Sequence, residues 1–152
     1  MKSAEAKLIG QATQNLQLRD IVLFRSRFDR PQLPEPGVDG SQQHKRGTHY
    51  VIGEIEGDED KKIRVLQILV SLGTRVVNVA EAKEPAVFFE IEADFLVQYE
   101  MFQDVEEEGL EAFANFNAIH NVWPFWRQHV FDVVQRGKLP KLDIPLFAGA
   151  KA

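Results

Sequence analysis

From Pro85 to Met101 the chain alternates apolar and polar side chains. Val87, Phe89, Ile91, Phe95, Val97 and Tyr99 fall on one parity, and Glu90, Glu92, Asp94, Gln98 and Glu100 on the other. Successive side chains of an extended strand point to opposite faces. This stretch therefore belongs in a sheet with one face on a core and one in water, which is the habit of antiparallel rather than parallel sheets. Every other part of the chain has to supply partners for that strand or cover its apolar face.

Partners are readable on both sides. Lys62 to Ala80 places Leu66, Ile68, Val70 and Leu72 on one parity, while Gln67 and Ser71 interrupt the other. Gly73 interrupts it too, and an interior strand glycine marks a bend or a close approach. Thr48 to Glu56 predicts another strand, ended by the charged turn Gly57 to Asp60. Leu16 to Phe28 predicts the first, with Leu16 and Leu18 on one parity and Ile21 and Leu23 on the other. That change of parity predicts a bulge near Arg19-Asp20. Short turns between consecutive strands favour antiparallel pairing. Residues 29–47 hold three Pro and three Gly among polar residues and are expected to form a long loop of the functional or disordered kind. Ser3 to Asn15 has the spacing of a short, weakly amphipathic helix with Ser3 as its cap.

Beyond the strands the period changes. Asp104 to Glu108 is acidic, as the start of a helix favours, and Leu110, Phe113 and Ile119 follow at helical spacing. Pro124 lacks an N–H and clashes with the preceding turn, so a break is expected near Asn121 with Pro124 opening a second helix. Trp126, Val130, Val133 and Val134 make its buried stripe, with Arg127 and Arg136 on the polar side. Gly137 is expected to end it in the left-handed region. Leu139 to Phe147 alternates apolar and polar residues with two prolines, an extended segment that covers something. The fold class is α+β: a four-stranded antiparallel sheet with a long kinked helix on one face.

Composition narrows the function. A single domain over residues 1–152 suits this length. A formal net charge of −5 argues against nucleic acid as a partner. Zero Cys removes disulfides, thiol catalysis and Cys-based zinc sites. The N-terminus carries no signal-peptide pattern and no apolar run approaches the ~20 residues of a membrane span, so a soluble, cytoplasmic protein without membrane insertion is expected. Gly137-Lys138 is no P-loop, since Asp132 and Leu139 stand where Gly and Ser or Thr are needed. No His-x-x-x-His spacing exists for a metal. His120 and His129 read as packed helical residues, His44 and His49 as part of a solvated loop. Glu90, Glu92 and Asp94 read as a solvated acidic sheet face. No catalytic residue, metal site or cofactor is expected. What remains is apolar surface, with 11 Phe and 2 Trp. The tail Leu139 to Phe147 and the cluster Trp123, Phe125 and Trp126 are candidates to line a cleft that binds by hydrophobic burial, or to form a subunit interface.

The run Pro124-Phe125-x-Arg127, then Arg136-Gly137-x-Leu139-Pro140-x-Leu142-x-Ile144, resembles the signature of the SecB protein-export chaperones. The resemblance is specific at this end and weakens upstream to strand patterning. It implies a homotetramer, a dimer of dimers, that holds unfolded precursor proteins without ATP and delivers them to the motor SecA. It implies a client groove built by Leu33 and Val38 of the 29–47 crossover loop, by Trp123, Phe125 and Trp126, and by Leu139, Leu142, Ile144, Leu146 and Phe147 of the 138–147 tail. It also implies a SecA-type surface at Asp20, Phe88, Glu90 and Glu92. The sequence departs from the family pattern in several places. The crossover loop lacks large aromatics, and Phe24 stands where the family has an acid. A helix over residues 1–15 is extra, and after the helical region 104–136 and the tail no C-terminal helix or basic, motor-binding tail is expected. SecB-like proteins also serve as dedicated chaperones of toxin–antitoxin systems, so an antitoxin is the alternative client. A non-chaperone adaptor is a further alternative.

Overall fold

The structure is a computed structural model that describes residues 3–31, 40–78, 86–140, 142 and 144. Helix α1 (Ser3–Asn15) leads directly into strand β1 (Leu16–Asp29). Strands β2 (Ser41–Glu56), β3 (Lys62–Asn78) and β4 (Ala86–Met101) follow, then helix α2 (Glu107–Phe113), a π turn (Ala114–Ala118) and helix α3 (Ile119–Gly137). The strands form one antiparallel sheet in the order β1-β4-β3-β2.

The alternation in β4 does what it predicts. Its odd-numbered residues from Phe89 to Met101 are buried and its even-numbered ones are half-buried on the other face. Leu66, Ile68, Val70 and Leu72 of β3 join them on the core side, against Leu110, Phe113, Ile119, Val122, Trp126 and Val130 of the helices. α1 packs on this layer through Ile9 and Ala12. Gly109 lets α2 come close, because a Cβ there would stand 3.6 Å from the Leu8 carbonyl. Between β4 and α3, the Tyr99 hydroxyl donates to Asn121 Oδ1 at 2.7 Å, and its ring meets Phe113 edge-on with centroids 4.8 Å apart.

The expected bulge in β1 is present as a register shift between Leu18 and Asp20; a second lies between Leu23 and Arg25. The two shifts keep Ile21 and Phe28 opposite the buried Val97 and Ile91, on the helix side of the sheet.

Several expectations are corrected. β2 starts at Ser41, so residues 41–47 are strand rather than loop and pair with Val77 back to Ser71. They are polar and lie at an edge, so no apolar stripe betrays them; the backbone of β3 imposes their register. No break occurs near Asn121. Pro124 sits inside a continuous α3, and the helix departs from α geometry upstream, over Ala114–Ala118. Burial of Ile119, Val122, Trp126 and Val130 along one stripe outweighs the ~3 kcal/mol that an interior proline costs. Finally, Lys138 rather than Gly137 takes the left-handed conformation, at φ 52° and ψ 43°. Gly137 is needed for space instead: a Cβ there would lie 3.2 Å from both Leu139 Cγ and Phe28 Cζ.

Candidate functional site: an apolar cleft beside the long helix

The left-handed turn at Lys138 reverses the chain, and the Leu139 N–H donates to the Val134 carbonyl at 3.1 Å. Pro140 cannot continue a helix, so the segment runs back along α3 in extended form. Arg127 Nε meets it, donating to the Ile144 carbonyl at 3.1 Å. At the turn, Arg30 Nη1 donates to the Gly137 carbonyl at 2.9 Å, which ties the end of β1 to the helix C-terminus. Arg127, placed on the polar side by its spacing, thus has a structural partner in the returning chain.

Between α3 and this segment lies an open cleft of about 810 Å³, within the ~300–1,000 Å³ range of ligand sites. Val130, Val134, Leu139, Leu142 and Ile144 supply its apolar lining, with Pro124 and Phe131 beside them. Phe131 is 56% exposed, a large apolar side chain held at the surface by its place on the helix. Arg127, Lys138, Gln128 and Gln135 complete the lining.

Of the groove residues expected from sequence, Leu139, Leu142 and Ile144 line this cleft. Trp123 is half-buried against the core, and Phe125 is exposed away from the cleft lining. Trp126 is 1% exposed: it is a core side chain and offers no surface. Leu33, Val38, Leu146 and Phe147 lie outside the described residues. Sequence reasoning missed Pro124, Gln128, Phe131 and Gln135. Their spacing puts them on one helical face, a signal that is visible only if the helix is read straight through Pro124.

The opposite face of the sheet carries the second candidate surface, and it is not the free acidic patch expected. Arg27, Glu92, Gly73 and Lys45 form one row across all four strands. Lys45 Nζ reaches Glu92 at 2.5 Å, and Arg27 Nη1 lies 3.2 Å from Glu92 and 3.6 Å from Glu90. One row on, Arg25 pairs with Asp94 at 3.3 Å. Gly73 makes the row possible, because a Cβ would stand 2.7 Å from Lys45 Cε. It is a close approach and not a bend. Cations on the neighbouring strands were invisible to a reading of β4 alone. The hydrogen bond between the two carboxyls, helped by burial and by the Glu92 charge, holds Glu90 above the usual carboxylate range. Hydrogen bonds from Lys45 and then from Glu90 hold Glu92 below it. Asp20 accepts from the Ile21 N–H at 2.9 Å, and Phe88 is half-buried.

Among the described residues no three His, Asp or Glu side chains are grouped to hold a metal, and no helix is long and apolar enough to cross a membrane. His129 Nε2 and Asn117 Oδ1 are buried without a hydrogen-bond partner among them.

No family model and no curated protein matches the sequence. A solved structure does. The chain is similar to the SecB-like chaperone Rv1957 of Mycobacterium tuberculosis, solved in complex with a ChAD peptide from the HigA1 antitoxin Rv1956. The TM-score is 0.69 over 93% of this chain and 97% of that one, at 19% sequence identity. The fold is SecB-like.

Proposed function

We propose that the protein is a holding chaperone, working without ATP and without catalysis, that binds unfolded polypeptide in the cleft beside α3. The observation that carries this reading is the cleft itself, an apolar trough of about 810 Å³ open to solvent and flanked by the exposed Phe131. Such a surface binds by burying apolar side chains, on the order of 25 cal/mol per Å², and so tolerates many sequences. The SecB-like fold supports the same reading. Leu33, Val38, Trp123, Phe125, Leu146 and Phe147 stay within the proposal as further groove walls, and Trp126 acts by supporting α3 from beneath. Assembly into a homotetramer belongs to it too. Leu18, Leu23 and Phe28 of the edge strand β1 lie on the helix side of the sheet yet are 41–49% exposed, which leaves apolar surface for another copy.

For the client we favour a dedicated partner of the antitoxin kind over export precursors bound for SecA. Glu90 and Glu92 of the expected motor surface are engaged by Arg27 and Lys45, and the similar structure holds an antitoxin peptide.

The test is suppression of aggregation of a denatured protein by the wild type and by Phe131→Ala. Phe131 is exposed, so the variant folds and reads binding alone. Weaker suppression by the variant is expected. A wild type that neither suppresses aggregation nor binds an antitoxin-type segment overturns the chaperone reading and leaves an adaptor. Calorimetry against SecA separates the two client classes.

A further inference from the structure

The charges around the cleft specify its client further, on the reading that it is a client groove. Among the described residues that line it only Arg127 and Lys138 carry charge, and both are cations. Gln128 and Gln135 add neutral amides. Asp132, the acid carried by α3, is not part of the lining and accepts a hydrogen bond from Gln128 Nε2 at 2.8 Å. The whole chain has a formal net charge of −5, so the cleft runs against the sign of the molecule around it. Cations beside an apolar floor fit carboxylates beside apolar side chains, and a guanidinium matches a carboxylate with two parallel N–H donors.

Spacing sharpens the fit. Arg127 and Lys138 stand at the two ends of the cleft's helical wall, roughly 16 Å apart along the axis at 1.5 Å per residue. An extended chain rising about 3.3 Å per residue spans that length in about five residues. We propose that the cleft selects extended segments in which acidic residues about five positions apart bracket a run of apolar ones. The apolar side chains fill the floor formed by Val130, Val134 and Leu142, and the two carboxylates meet Arg127 and Lys138.

Fluorescence anisotropy on the full chain tests this with three labelled, unstructured peptides sharing one apolar run and flanked by Glu, by Gln or by Lys. The Glu peptide is expected to bind about twofold to tenfold tighter than the Gln peptide, the range of two exposed ion pairs, with the Lys peptide weakest. The preference should shrink toward 1 M salt, where the Debye length is about 3 Å, and should fall in Lys138→Glu. If that variant misfolds, Lys138→Gln removes the charge alone and reads the same preference. Equal affinities at low salt, or tightest binding of the Lys peptide, overturn the charge proposal and leave the chaperone reading standing. No binding of any peptide overturns both.

Discussion

Trp126 keeps 1% of its surface exposed and Phe131 56%, so the two side chains separate stability from binding on a single helix. Truncating a buried Trp leaves a cavity as well as losing transfer energy, and Trp126→Ala is expected to cost about 3–5 kcal/mol. Phe131→Ala should move stability by about 0.5 kcal/mol or less while weakening client capture. Guanidinium unfolding midpoints of the two variants check the contrast. His129 gives a pH dependence. Burial lowers its imidazole below the ordinary 6.5, with Asp132 opposing. The unfolded chain therefore takes up the proton first, and acidification favours unfolding. The stability is complete above pH 6.5 and is lost as the pH falls through that value toward the lower folded one. His44 adds a shift of the same sign from burial alone. His129→Gln should flatten the slope of melting temperature against pH below 6.5, and an unchanged slope would assign it to other groups.

Elements were legible in proportion to how much of their own burial they encode. β4 and β3 carry the core on one parity each, and both strands could be read from sequence nearly to their ends. The parity change in β1 revealed its first bulge because Ile21 and Leu23 had to return to the core side. The first part of β2 was not legible, since Ser41 to Gly47 is ordered by pairing with β3 rather than by any stripe of its own. Local chemistry also misplaced the helix boundary. Proline marks a helix start in an isolated chain, whereas here packing of Ile119, Val122 and Trp126 carries the helix through it. Two predictions belong at this scale. Asn121→Ala leaves the buried Tyr99 hydroxyl without its acceptor between sheet and helix and should cost about 1–3 kcal/mol, read by chemical denaturation. Leu18→Lys with Leu23→Lys places charge on the exposed edge of β1 and should reduce the assembly to smaller species in light scattering. A double variant with the wild-type mass would move the interface elsewhere.

Across the whole molecule, charge is distributed by strand order. The acids of β4 lie between β1 and β3 in the sheet, where Arg25 and Arg27 reach them from one side and Lys45 crosses the side-chain-free Gly73 from the other. A basic partner docking on this face meets paired carboxylates, while the cleft on the helix side keeps cations. What the sequence determined by itself was local: the period-two strands, the period-3.6 helices, the exclusion of thiol chemistry and the apolar, proline-bearing tail. These follow from each residue's own preference for water or core and from backbone sterics. Tertiary structure decided which apolar residues became surface and which became core, and which charges were neutralised. Trp126 and Phe131 are alike as residues and differ in which side of α3 the sheet covers. The acidity of β4 depends on neighbours that chain order keeps far apart and only the sheet brings together.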